Sequence, residues 1–332
     1  MIRHYFAGAD ISASWFDIAV LDGRRIHEGR FGQDETGFAQ LEAWLLERGL
    51  LRLWIAMEHT GGYERRLAQH LYVKGHRVCL VDGLQLRRFK ESLKVKAKTD
   101  KVDARVLARF AKDRKPALWT PRPDSWRELT ELVHHRQDLV DAITAWKCRK
   151  SGPCSNAAVR AQQNTLLQVL QMQLKEAQDQ IARLVESSPD LSRDVELLCT
   201  VKGVKFTTAT AFLAESGPIE AYPSPKSLAL AAGLAPLPFQ SGSSIKRGHS
   251  APYGNAHMRR ALSIIAPGAR RFNPAMACFA SRIAARGGKT NSLLNRAVMR
   301  KLVHVFWGVL KRKQPFDPAK AVWRFPKEPM KL

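Results

Sequence analysis

The arrangement that most restricts this chain is a run of three strand-like segments followed by regular alternation of helix and strand. Residues 5–10, 15–21 and 24–31 read as an antiparallel meander, and Asp22-Gly23 between the last two favours a tight hairpin. Thr36 is a candidate cap for a helix to about Glu47, residues 53–57 form a short apolar strand, 63–74 are amphipathic and 77–81 make another strand. Thr99 can cap a last helix to about Lys112. The order β-β-β-α-β-α-β-α describes a hairpin-built sheet extended by parallel crossovers.

That order is the one of a ribonuclease-H-like α/β domain. Pro116, Pro121 and Pro123 mark its exit, so the first domain is expected at 1–115. From about Trp126 the pattern becomes long helix. Beyond the breaker Ser151-Gly152-Pro153, residues Leu167, Leu170, Leu174, Ala177, Ile181 and Leu184 alternate spacings of three and four, a coiled-coil seam. Residues 116–190 therefore read as a helical linker used in self-association or folded as a hairpin on its own domain. A mainly α domain is expected at 191–316, broken by an irregular stretch between Gly233 and Gly254, with a loose tail at 317–332.

Charge narrows the partner. The chain carries 54 Lys and Arg against 30 Asp and Glu, a formal charge of +24, and from Ala221 to Phe316 there are 16 basic residues and no acidic one. Such a stretch repels itself unless a polyanion is near, so DNA or RNA is the expected partner. The five cysteines contain no CxxC pair and no His at zinc-ligand spacing, so reduced, mostly buried thiols are expected rather than a disulfide framework or a zinc site. With no 18-residue apolar run and no cleavable leader, no membrane association is expected, and the protein is read as cytoplasmic and nucleoid-associated.

Four carboxylates stand out. Asp10 interrupts the apolar strand Phe6-Ala7-Gly8-Ala9-Asp10-Ile11, where a lone carboxylate is costly unless paired, metal-bound or facing water. Glu58 ends the apolar strand Trp54-Ile55-Ala56-Met57-Glu58, and Asp100 and Asp103 share one helix face. Oxygen donors without His or Cys suit Mg²⁺ or Mn²⁺, and a pair of such ions serves phosphodiester cleavage.

The segments Gly8-Ala9-Asp10-Ile11-Ser12, Met57-Glu58-His59-Thr60-Gly61-Gly62-Tyr63 and Lys98-Thr99-Asp100-Lys101-Val102-Asp103-Ala104 resemble the DEDD transposases of bacterial insertion sequences, relatives of the Piv-type DNA invertases. So do Ala232-Gly233-Leu234-Ala235-Pro236, Gln240-Ser241-Gly242 and the run from Gly254 to Leu262, in order along nearly the whole chain. The resemblance implies that Asp10, Glu58, Asp100 and Asp103 are the metal-binding tetrad of a RuvC-like domain holding two Mg²⁺ or Mn²⁺ ions, and that Ser241 is a nucleophile forming a phosphoserine link to DNA. It also implies donor and target DNA as substrates, a noncoding bridge RNA as guide, and a dimer or tetramer. Where the family has a Pro-Gly-Ile-Gly-like turn, this chain has Val201-Lys202-Gly203-Val204-Lys205.

A serine hydroxyl needs a base or a metal to become a nucleophile, and no Ser-His-Asp arrangement is readable around Ser241, although His249 and His257 follow. Lys98, Lys101 and Arg105 beside the acidic helix, and Lys246, Arg247, Arg259 and Arg260 after Ser241, are candidate phosphate contacts. The expected function is strand cleavage and rejoining. A hydrolytic RuvC-like nuclease using water would make Ser241 dispensable, and an architectural nucleic-acid binder would make the carboxylates dispensable.

Overall fold

Apolar residues on both faces of Tyr5–Ile11 (β1) require cover on both sides, and the computed structural model places this strand at the centre of a five-stranded sheet. The structure describes residues 5–59, 61–93, 99–241, 245–250, 254–287 and 290–321, in two compact units, 1–121 and 122–332. In the first unit β1 runs antiparallel to Trp15–Asp22 (β2), which pairs with Arg25–Gly32 (β3). It runs parallel to Leu53–Glu58 (β4), and β4 runs parallel to Arg77–Val81 (β5). Because Asp22 pairs with Arg25, the hairpin loop is Gly23-Arg24, one residue later than expected: Gly23, at φ +61°, supplies the positive φ needed at the first loop position.

Helices Glu35–Glu47 (α1) and Glu64–Val73 (α2) cover one face, where Phe38, Leu41, Leu67 and Leu71 join Ala7, Ala9, Ile55 and Met57 in one core. Gly83–Ser92 (α3) and Asp100–Arg114 (α4) supply Leu86, Phe89, Val106, Leu107 and Phe110 to a second core with Ala56 and Val81. The cap of α1 is Asp34, not Thr36. The extended backbone of Asp34 aims its carboxylate at the Gly37 N–H (2.8 Å), whereas Thr36 already lies inside the first turn. Helix α3 is absent from the order expected from sequence, because Leu86 and Phe89 are its only buried residues and no continuous apolar stripe marks it. Asp82 caps it, and Thr99 caps α4 as expected.

In the second unit Asp124–Lys150 (α5) and Ala157–Ser187 (α6) pack along each other, and the seam residues Leu167, Ala177 and Ile181 are buried within the chain. Helices Pro189–Cys199 (α7), Phe206–Ser216 (α8), Pro225–Ala231 (α9), Ala256–Phe272 (α10), Pro274–Ala285 (α11) and Asn291–Arg312 (α12) follow. Phe212 and Phe306 meet edge to face at 4.9 Å in their shared core, to which α5 gives Trp126, Leu129 and Val133. Phe316 packs on that core, its N–H donates to Thr200 Oγ1 (2.9 Å), and Pro318–Ala321 forms a short helix (α13); the rest of the expected tail, 322–332, lies outside the described residues.

The stretch between Gly233 and Gly254 is not irregular throughout: Pro236–Ser241 (β6) and Ile245–Ser250 (β7) form an antiparallel hairpin. Pro236 and Pro238 hide it in the sequence, since proline cannot donate to a ladder, but a two-stranded ribbon has open edges that tolerate it. The cysteines depart from expectation as well. Cys79 is buried, but Cys148, Cys199 and Cys278 are exposed, on outward positions of α5, α7 and α11. Among the described residues no helix is long and apolar enough to cross a membrane.

One close approach orders the first unit. A Cβ on Gly8 of β1 would stand 2.3 Å from both Ala104 O and Ala108 N of α4, and Ala19, Ala104 and Ala108 cluster beside it. Gly8→Ala must push α4 off the sheet, since backbone cannot yield as a side-chain tip can. A loss of about 1–3 kcal/mol or more in chemical denaturation is expected, against a smaller loss for Ala19→Gly. Equal stability of Gly8→Ala and wild type would refute the contact.

Candidate active site

The site follows from strand periodicity and register. Ala7, Ala9 and Ile11 turn to the α1/α2 core, so Gly8 and Asp10 turn to the opposite face. In β4 Ile55 and Met57 likewise leave Ala56 and Glu58 on that face. Parallel pairing sets Gly8 against Ala56, and the same register continued brings Asp10 level with Glu58 at the carboxyl ends of β1 and β4. Helix α4, seated on Gly8, starts with Asp100 and Asp103 in its first turn.

Asp10 registers all of this electrostatically. Its carboxyl is pushed up to about 6, first by burial, then by Asp103 and Asp100, with Glu58 adding to the rise and Lys90 opposing it. The four sequence-predicted carboxylates thus share one neighbourhood. Lys90 Nζ sits 2.9 Å from Asp103, and Arg30 Nη2 sits 3.1 Å from Asp100. Arg30 also grips Asp17, a buried carboxylate paired with Asp10 across β1 and β2, through Nη2 at 2.7 Å and Nε at 3.1 Å. Neither Arg30 nor Asp17 is anticipated from sequence; the signal available was the placement of Asp17 within the apolar run of β2.

Glu58 is accommodated by Gly83 at the start of α3, where any Cβ would fall 2.6 Å from Glu58 Oε1. The turn after Glu58 is held by Glu64, fully buried, which accepts the Gly62 N–H at 2.9 Å and faces His59 Nδ1 at 3.4 Å. A half-buried Asp10 crowded by Asp103, Asp100 and Glu58 suits a hard divalent cation, which would relieve the repulsion that raises it. Among the described residues no three of the four offer oxygens all within 4.8 Å of one another, so Lys90 and Arg30 hold Asp103 and Asp100 in a more open arrangement.

Ser241 ends β6 opposite Ile245, at the turn end of the hairpin, and Lys246 and Arg247 pair by backbone with Gln240 and Phe239. Lys98 lies outside the described residues. Lys101 is exposed. Arg105 donates to Glu28 (2.7 Å), Arg260 to Asp141 (2.8 Å) and Arg259 to the Ala232 carbonyl (3.3 Å). A second cluster of ligating side chains, not foreseen from sequence, brings together His134, Glu215 and His257, which lie far apart along the chain.

Comparison with known proteins gives two family matches in chain order. Residues 7–152 match a family described as "Transposase", of the DEDD type, and residues 195–281 match "Transposase IS116/IS110/IS902 family". The chain is 30% identical over 322 residues to the pilin gene-inverting proteins of Moraxella lacunata and Moraxella bovis, covering 94% of this chain and 97% of theirs. It is 28% identical over 190 residues to the insertion element IS110 uncharacterized 43.6 kDa protein of Streptomyces coelicolor (strain ATCC BAA-471 / A3(2) / M145), covering 57% of this chain and 45% of that protein.

The charge crowding has a measurable sign. A carboxyl raised from 3.8 to about 6 in the folded state is ionised more readily when unfolded. The contribution of this group to stability is therefore fully present below about pH 4 and is lost as pH rises through 6. In EDTA at pH 8, Asp10→Asn is expected to melt above wild type, and the gap to close below pH 5 or when Mg²⁺ is added to wild type. A destabilised Asp10→Asn under those conditions would contradict the clustering.

Proposed function

The chain belongs to the IS116/IS110/IS902 family of transposases and DNA invertases, and from that premise we propose that it cuts and rejoins DNA with the Asp10, Glu58, Asp100 and Asp103 carboxylates as metal ligands and Ser241 as nucleophile. It is a DNA recombinase by family. The observation that carries the finer reading is the convergence of the four carboxylates, expressed in the raised carboxyl of Asp10. On this reading the five-stranded unit is a RuvC-like catalytic domain. When bound there, Mg²⁺ or Mn²⁺, two ions per site, would supply charge stabilisation to a phosphodiester and acidify the attacking hydroxyl.

Ser241 Oγ loses its proton and bonds to phosphorus, and the bond from phosphorus to one deoxyribose oxygen breaks, that oxygen taking up a proton. The broken strand is thereby held as a phosphoserine ester, which conserves the bond energy. A deoxyribose hydroxyl of the new partner strand then attacks the same phosphorus and releases Ser241 as its hydroxyl. Because energy is conserved in the ester, rejoining needs no nucleotide cofactor. Lys90 and Arg30, now on Asp103 and Asp100, offset part of the acidic cluster's charge and on this reading shift toward phosphate as DNA enters.

Sequence choice by a bridge RNA, and assembly as a dimer or tetramer, complete the proposal. A guide that pairs with donor and target relieves the protein of base reading, which suits a chain whose excess of 24 positive charges addresses backbone rather than sequence.

Wild type, Ser241→Ala and Asp10→Ala are to be expressed with the DNA that flanks the gene and recovered under denaturing conditions. Covalently attached DNA is expected in wild type and in neither variant, and RNA sequencing of the native protein is expected to return one structured transcript from that flanking DNA. Cleaved DNA without an adduct, insensitive to Ser241→Ala and abolished by Asp10→Ala, would replace this reading with a hydrolytic nuclease.

A further inference from the structure

Three helices of the second unit bring two imidazoles and a carboxylate to one point, and nothing in the strand-transfer chemistry uses them. His134 lies on α5, Glu215 in the last turn of α8 and His257 in the first turn of α10. One donor atom of each lies within 4.8 Å of the others. The His134 and His257 rings are stacked at 4.6 Å with 30° between their planes, and His134 Nε2 is 2.5 Å from Glu215 Oε1. Glu215 is only 6% exposed, a position in which a carboxylate needs a cation or a full set of donors. Arg122 at this helix end is spent on the backbone carbonyls of Ala214 and Glu215.

We propose that His134, Glu215 and His257 form a binding site for a divalent transition metal of the Zn²⁺ class, chemically distinct from the all-carboxylate site. Two imidazole nitrogens and one carboxylate oxygen are the donor set that Zn²⁺ accepts with a water in the fourth position. His257 is exposed, which leaves that position open to solvent. Glu215 is oriented by an outer partner, as metal-bound carboxylates are: Asn255 Nδ2 donates to its second oxygen at 2.7 Å. Tetrahedral ligands at zinc distances stand about 3.3 Å apart, so His134 must withdraw slightly from Glu215, a movement its partly exposed side chain permits.

The site has a structural consequence. Asn255 follows the β6–β7 hairpin in the chain and is pinned to α9 by its N–H on the Ala231 carbonyl (2.8 Å), while its Oδ1 caps α10. A metal on His134, Glu215 and His257 cross-links α5, α8 and α10 at the root of the hairpin that carries Ser241, and so fixes the hairpin's departure point.

The test uses untagged full-length protein stripped with EDTA and titrated with Co²⁺ and then Zn²⁺. One equivalent of Co²⁺ is expected to give intense tetrahedral ligand-field bands without a thiolate charge-transfer band, to be displaced by Zn²⁺, and to survive in Asp10→Ala. His257→Ala, at an exposed position that leaves the metal-free melting temperature unchanged, is expected to weaken binding at least about 100-fold, and Asn255→Ala by about 10- to 100-fold. A thiolate band, absence of binding, or binding undiminished in a folded His257→Ala would overturn the assignment.

Discussion

Everything in the first unit hangs on how closely α4 can lie on β1. A helix normally stands off a sheet by the thickness of two side-chain layers, but here Gly8, Ala19, Ala104 and Ala108 remove most of that thickness. The helix axis drops toward the strand, and the first turn of α4 arrives beside the end of β1 instead of above it. Two acidic residues one helical turn apart, Asp100 and Asp103, then share space with Asp10 without needing long side chains. Short aspartates on a close helix give a more rigid group of oxygens than glutamates on a distant one, because fewer torsions must be frozen.

The closeness carries an electrostatic penalty that the fold offsets only in part. Arg30 holds Asp17 and reaches Asp100, and Lys90 holds Asp103, yet Asp10 is left with burial and like charges that raise it to about 6. On the proposed function, stability is given up at the strand-end carboxylate that would hold the metal, as is common at functional sites. Asp17 makes the contrast. It is more buried than Asp10, but an arginine that engages both of its oxygens gives it a structural role.

How much could be read in advance depends on whether the signal was local. Strand and helix periods and the Thr99 cap are local, and they put Asp10 and Glu58 on strands and Asp100 and Asp103 on one face of a helix that the element order gathers together. Features that depend on partners were illegible. Asp34 displaced Thr36 as a cap through backbone conformation, α3 formed around two buried residues, and β6 and β7 paired despite two prolines. The grouping of His134, Glu215 and His257 was invisible for the strongest version of the same reason, since no short spacing rule links residues brought together by three separate helices.

The basic side chains show why a protein partner does not settle a role. Arg105 with Glu28 and Arg260 with Asp141 are surface ion pairs, and such pairs contribute about 0–1 kcal/mol. Exchanging that carboxylate for a phosphate costs little, so neither ion pair removes its arginine from the surface available to a polyanion. Arg259 differs: it is half-buried and donates to the Ala232 carbonyl beside the root of the hairpin, so its withdrawal would leave a carbonyl unpaired. Of the two neighbours, Arg260 is thus the one with an exchangeable surface partner and Arg259 the one bound to the backbone.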